Sequence, residues 1–217
     1  MKKGILFDFD YTLGDSTVGI VESSNYALKQ LGYEEKPIEQ IKKTIGLTLQ
    51  ESFLTLQPEG TKEEAEEYVK YFVEKADEVI TVSTHLYDGV LQVLQGLKQD
   101  SYKVGVVTTK YQRRIVEIFN KYDALPLLDL IIGGDSVTKK KPDPEGVNLA
   151  IREWGFDKSE ILYVGDSLVD AKTAEGAGVD FAAVLTGTTE KKDFVKFPYV
   201  TIGASVLEIN DYIRGLE

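Results

Sequence analysis

Short uninterrupted apolar runs alternate along this chain with stretches in which apolar residues recur every three or four positions. The first pattern fits buried strands and the second fits amphipathic helices. Ile5-Leu6-Phe7 predicts a strand ending at Asp8, and Val104-Gly105-Val106-Val107 a second ending at Thr108. A third, Leu130-Ile131-Ile132, runs into Gly133-Gly134-Asp135, and a fourth, Ile161-Leu162-Tyr163-Val164, runs into Gly165-Asp166. Phe181 to Leu185 gives a fifth and Tyr199 to Ile202 a short sixth. Continuous apolarity, rather than alternation, is what strands covered on both faces show. Helical spacing fills the gaps at 89–99, 113–122, 145–154, 168–177 and 204–213. Strands alternating with helices define an α/β fold built on a parallel sheet.

Residues 16–81 break this rhythm, with helical periodicity and no convincing strand. Ser16 or Thr17 is placed to cap a first helix that Gly32 closes, and Pro37 to open a second. Gly46 punctuates before a third helix at 49–56, and 61–79 supplies a long acidic fourth. A strand-to-strand crossover needs far less chain. The expected organisation is therefore a core domain of 1–15 and 82–217 carrying an inserted all-helical cap domain of 16–81.

Composition narrows the partners. Asp plus Glu number 36 against 25 Lys plus Arg, for a formal net charge of −11. That balance repels nucleic-acid phosphates, and no segment concentrates basic residues enough to reverse it. Small phosphate esters are not excluded, since a cation and a few local donors can dominate the field inside a cleft. The absence of cysteine rules out disulfides, thiol nucleophiles and Cys-ligated metals and fits a reducing compartment. The apolar run after Met1-Lys2-Lys3 is interrupted at Asp8 and Asp10, too early for a signal peptide. No stretch approaches a membrane span of about 20 residues. The expectation is a cytoplasmic protein that engages neither membrane nor nucleic acid; nothing in the pattern sets an oligomeric state.

Candidate chemistry gathers where ligands bind open α/β sheets, beyond the carboxyl ends of the strands. Asp8-Phe9-Asp10-Tyr11-Thr12-Leu13 places two carboxylates in one turn. It reads either as an acidic turn or as a site in which a divalent cation offsets the repulsion and an Asp attacks phosphorus. Thr108-Thr109-Lys110 after the second strand is either a helix cap or a set of phosphate donors. In Lys139-Lys140-Lys141-Pro142-Asp143-Pro144 the prolines stiffen the chain beside Lys141, as a fixed charge near phosphate requires. In Gly165-Asp166-Ser167-Leu168-Val169-Asp170 the two carboxylates lie one helical turn apart, suited to a cation or to helix capping.

The order D-x-D-x-T, then a strand ending in Thr, then K-P, then G-D-x-x-x-D resembles the haloacid-dehalogenase superfamily over nearly the whole chain. A helical insert directly after the first motif resembles its phosphoglycolate-phosphatase and β-phosphoglucomutase-like branch. The resemblance implies a Rossmann-like three-layer core and a Mg²⁺-dependent phosphatase acting on a small phosphorylated metabolite. It implies Asp8 as nucleophile, Asp10 as general acid and base, and Thr108, Thr109 and Lys141 as phosphate ligands. Mg²⁺ is implied on Asp8, the Asp10 backbone carbonyl and Asp166, with Asp170 in support. Asp10 points to phosphate chemistry, because the dehalogenating branch does not keep that residue. Family members with sugar-phosphate mutase or pyrophosphatase activity share this machinery, and a non-catalytic binding module on the same fold is the remote alternative.

Two positions depart from the family pattern. Tyr11 stands where Gly is usual, and since a Tyr does not adopt positive φ cheaply, either the turn is ordinary there or the entrance is reshaped. Thr109 stands where Asn or Ser is common. Tyr11 and Gly46 are candidates for substrate contact, Gly46 alternatively a plain helix break. His85, the only histidine, is expected to be structural or exposed, Trp154 to pack, and Arg113 and Arg114 to lie on a helix surface.

Overall fold

In the computed structural model, which describes residues 2–215, Ser16–His85 forms one compact unit and the rest of the described chain another. The chain begins with β1 (Gly4–Phe7) and the short β2 (Gly14–Asp15). The helices α1 (Thr17–Gln30), α2 (Ile38–Lys42), α3 (Leu49–Leu56) and α4 (Lys62–Ser83) follow, then the short β3 (His85–Leu86). Next come α5 (Val90–Gln99), β4 (Lys103–Val107), α6 (Gln112–Lys121), β5 (Leu130–Ile132) and α7 (Glu145–Trp154). The remainder is β6 (Ile161–Gly165), α8 (Leu168–Ala177), β7 (Asp180–Val184), α9 (Lys191–Phe194), β8 (Thr201–Gly203) and α10 (Val206–Arg214).

Six strands form one sheet in the order β5-β4-β1-β6-β7-β8, every neighbouring pair parallel. Phe7 at the end of β1 stands opposite Val106 of β4 and Val164 of β6. The residues that leave these strands therefore emerge along one edge of the sheet. Side chains alternate across it as the pleat requires. Ile5 and Phe7 join one apolar layer with Val93, Leu94, Ile115, Ile118, Ile209 and Ile213 from α5, α6 and α10. Leu6 and Tyr163 join the opposite layer with Val147, Ala150, Ala171 and Ala174 from α7 and α8. The result is a three-layer α/β core of the Rossmann-like kind. Trp154 does pack: a methyl group on Gly4 would lie 2.6 Å from its ring and one on Gly105 3.0 Å away, so these glycines make room for the indole.

The smaller unit has its own core, with Leu28, Ile41, Phe53, Tyr68 and Phe72 fully or almost fully buried. Thr48 and Thr61 open α3 and α4 with reciprocal bonds to Glu51 and Glu64. Ser16 precedes α1 without capping it through its side chain; its Oγ accepts a hydrogen bond from Thr84 Oγ1 at 2.9 Å instead. Arg114 also departs from expectation: it is 5% exposed rather than on the surface, with Nη1 donating to Glu117 Oε2 at 3.2 Å. The last strand starts two residues later than its apolar run, leaving Tyr199 outside it and exposed. Among the described residues no helix is long and apolar enough to cross a membrane.

Candidate active site

Asp8 leaves the central strand, and its N–H donates to the Val164 carbonyl at 2.9 Å, which continues the β1–β6 pairing by one residue. The chain then folds tightly, the Phe9 carbonyl accepting from the N–H groups of Thr12, Leu13 and Gly14. Tyr11 sits inside this turn at φ +60°, with its N–H on the Gly14 carbonyl at 2.8 Å. Of the two alternatives left open for Tyr11, the ordinary turn is therefore not the one found. Three carbonyl-bound N–H groups close the turn around it, and Thr186, from the loop after β7, donates its hydroxyl to the Tyr11 carbonyl. Local hydrogen bonding offsets a backbone cost of about 1–2 kcal/mol.

Lys141 is buried between two carboxylates, its Nζ 2.9 Å from Asp8 Oδ1 and 2.6 Å from Asp170 Oδ1. Tyr163, pointing from the middle of β6, donates its hydroxyl to the Val107 carbonyl at 2.9 Å and accepts from Lys141 at 3.1 Å. Asp170 is fully buried, and its other oxygen accepts from Ser167 Oγ and, at 3.1 Å, from Ser167 N. Both of its oxygens are thus engaged by the protein. That suits it to orienting Lys141 and the Asp166-Ser167 turn. Asp166 Oδ1 accepts from Thr12 Oγ1 at 3.3 Å, tying the end of β6 to the β1 turn.

Thr108 leaves β4 beside Asp8's strand, buried, with its N–H on Ile132 and its Oγ1 accepting from Lys110 N at 3.3 Å. Thr109 is half-exposed, and the Gly133-Gly134 turn packs directly against its backbone. Gly46 lies in the smaller unit between α2 and α3 at φ +97°, where a methyl group would meet nothing within 4 Å. His85 is exposed at the start of β3. The larger unit thus brings together Asp8, Asp10, Thr108, Lys141, Asp166 and Asp170.

Sequence reasoning gave no role to Lys110, Thr12, Tyr163, Thr186 or Gly187. The Lys110 side chain is only 7% exposed, and its Nζ lies 3.1 Å from Asp10 Oδ2. Gly187 approaches Asp166 so closely that a methyl group there would lie 2.7 Å from its Cγ. Lys110 was within reach, being contiguous with Thr108-Thr109; the other contacts arise only from the fold.

Electrostatically the centre is under tension. Burial pushes the Asp8 carboxyl up to about 6, against the pull of Lys141 and with further repulsion from Asp170 and Asp10. Burial, then Asp170 and Asp8, holds Asp166 well above the ordinary carboxylate range. Burial also works against the charge on Lys141, but Asp170 and Asp8 overcome it and keep the ammonium well above its usual range. Oxygens of Asp8, Asp166 and Asp170 lie within 4.8 Å of one another. Three carboxylates sharing one ammonium leave negative charge that a hard divalent cation would balance. The buried Asp10 Oδ1, moreover, accepts no hydrogen bond. The donor set, all oxygen, fits such an ion.

A buried carboxylate at the end of the central strand, with a lysine and two further carboxylates around it, is the candidate site on this α/β core. Residues 5–184 match the haloacid dehalogenase-like hydrolase family, and the chain belongs to it. It is 29% identical over 217 residues to phosphoglycolate phosphatase of Nitrosospira multiformis, covering 98% of this chain and 96% of that one. It is 34% identical over 181 residues to pyrophosphatase PpaX of Bacillus velezensis, covering 83% and 82%. A Bacteroides fragilis structure described as a haloacid dehalogenase-like hydrolase matches at 38% identity, with a TM-score of 0.93 over 96% of this chain and 100% of that one.

Proposed function

We propose that this chain is a Mg²⁺-dependent phosphatase that hydrolyses a small phosphomonoester through an aspartyl-phosphate on Asp8. The observation that carries the reading is the buried Asp8 at the centre of the sheet edge, ion-paired to Lys141 at 2.9 Å, with Asp10 two residues further along the same turn. An Asp8 oxygen attacks phosphorus, the bond from phosphorus to the leaving oxygen breaks, and Asp10 delivers a proton to that oxygen. Asp10 then takes a proton from water as the water attacks phosphorus. The acyl-phosphate bond breaks, inorganic phosphate leaves and Asp8 is restored. Thr108, Thr109 and Lys141 hold the phosphoryl oxygens, and Lys141 tempers the charge on Asp8. Asp8, the Asp10 backbone carbonyl and Asp166 would hold Mg²⁺, with Asp170 in support through Lys141 and Ser167. When bound, the ion neutralises charge on the phosphoryl oxygens.

The substrate class this supports is a small phosphorylated acid such as phosphoglycolate, in line with the activity named for the Nitrosospira relative. Pyrophosphate is a second reading, favoured by the 34% identity to the Bacillus pyrophosphatase. A panel of phosphomonoesters with pyrophosphate, assayed for phosphate release with and without Mg²⁺, separates the two. Asp8→Asn should abolish Mg²⁺-dependent release from every member. A folded, metal-loaded protein inactive on the whole panel, or an Asp8→Asn variant that keeps its activity, overturns the proposal.

A further inference from the structure

Asp10 must meet the leaving oxygen in one geometry, yet it stands on a turn rather than on a strand. Its Oδ1 is buried without a hydrogen-bond partner, so nothing on that side fixes the carboxylate. Its Oδ2 faces the Lys110 ammonium at 3.1 Å, and the lysine side chain is only 7% exposed. The same ammonium lies 5.8 Å from the centre of the Phe9 ring, so one lysine engages both the residue before Asp10 and Asp10 itself.

Lys110 is in turn fixed from below. Its N–H donates to Thr108 Oγ1 at 3.3 Å, and its carbonyl accepts from Gly134 N at 3.0 Å. The Gly133-Gly134 turn comes this close only because it has no side chains: a methyl group on Gly133 would lie 2.8 Å from Gln112 Cα, and one on Gly134 would collide with the Thr109 carbonyl. The loops after β4 and β5 thus clamp the backbone of Lys110, and Lys110 clamps Asp10. Lys141 serves Asp8 and Asp170 instead, so each carboxylate of the D-x-D turn has its own ammonium.

We infer that Lys110 is a positioning residue that holds the Asp10 carboxyl toward the leaving oxygen and so acts through proton delivery. The inference rests on the phosphatase reading above. It differs from a purely structural ion pair in one consequence. An alkoxide needs its proton as it leaves, whereas nitrophenolate departs as the anion. Loss of Lys110 must therefore weigh on alkyl phosphates and spare p-nitrophenyl phosphate.

The experiment compares kcat/KM, which reports the transfer to Asp8, for an alkyl phosphate and for p-nitrophenyl phosphate in the magnesium-loaded enzyme. General acid catalysis contributes about 10²–10⁴-fold, so Lys110→Met should lower kcat/KM for the alkyl ester by roughly 10-fold or more and for the aryl ester by no more than about 3-fold. Lys110→Arg should restore most of the loss. Asp10→Asn should show the same leaving-group pattern, with little added by combining it with Lys110→Met. Lys110→Gln, which keeps a donor, serves if Lys110→Met does not fold. Equal losses on both esters in a folded variant, or no loss on either, overturn the inference while leaving the phosphatase reading standing. A wild-type enzyme that turns over neither ester overturns both.

Discussion

A methyl group at position 187 would lie 2.7 Å from the Asp166 Cγ and 3.0 Å from its Cβ, closer than packed atoms tolerate. The carboxylate has little room to give way, since its Oδ1 is already engaged by Thr12. Gly187→Ala should therefore push Asp166 out of place while leaving the sheet intact. Under the magnesium reading, the Mg²⁺ concentration for half-maximal phosphate release should rise roughly 10-fold or more, as for other disturbances of a metal ligand's surroundings. A Mg²⁺ titration of activity checks this, with the thermal midpoint in EDTA as control; an unchanged titration curve would sink the idea. The contact also marks what could be read from the chain. Asp8, Asp10, Lys141, Asp166 and Asp170 were legible because each stands at a fixed offset from an apolar run or proline pair. Gly187 was not, because its meaning depends on β7 lying beside β6, which places the loop after one strand against the residue after the other. The turn at Tyr11 stayed open between alternatives for a related reason: propensity disfavours its φ of +60°, but hydrogen bonds from the turn and from Thr186 override it.

Elements with both a strong period and a clear stop were legible to the residue. The apolar spacing of 145–154 and 168–177 gave α7 and α8 with the bounds they have, because each ends against a glycine in the left-handed region, Gly155 at φ +67° and Gly178 at φ +72°. β2, β3 and α9, two to four residues long and without an apolar run, left no signal. The bounds of β8 slipped because it lies at the edge of the sheet, where hydrogen bonding to one neighbour, rather than burial on two faces, decides where pairing starts. The glycine stops are open to a direct test. At Gly155 a methyl group meets nothing within 4 Å, so Gly155→Ala isolates the backbone cost of positive φ from any clash. It should destabilise the protein by about 1 kcal/mol, seen as a lower urea midpoint at an unchanged slope. No shift would mean that the helix end relaxes into a different stop.

At the scale of the whole molecule, an excess of acidic groups, formal net charge −11, is carried into the site itself. Burial raises the Asp8 carboxyl from 3.8 to about 6 and lifts Asp166 in the same direction. The folded protein without metal then holds these protons more tightly than the unfolded chain does. The stability that Asp8 contributes is complete below about pH 4 and is lost as the pH rises through about 6, and the contribution of Asp166 runs in the same direction. Glu64, Glu145 and Glu160, hydrogen-bonded and lowered from 4.5, act with the opposite sign: their contribution is present above about pH 4.5 and lost on acidification. A single melting curve mixes the two, but under the magnesium reading the difference between melts with and without Mg²⁺ isolates the site, because an ion held there would have to displace protons from Asp8 and Asp166. At a fixed concentration near 100 times its dissociation constant at neutral pH, Mg²⁺ should stabilise by about 2.7 kcal/mol. That increment should shrink toward zero as the pH falls from about 7.5 to about 5, measured as the shift in thermal midpoint. Asp8→Asn removes one of the competing protons and one ligand together, so its increment should be smaller at neutral pH and flatter across the series. An increment in the wild type that is constant with pH would mean that magnesium binds away from these carboxylates, and would remove the electrostatic argument for Asp8 and Asp166 as its ligands.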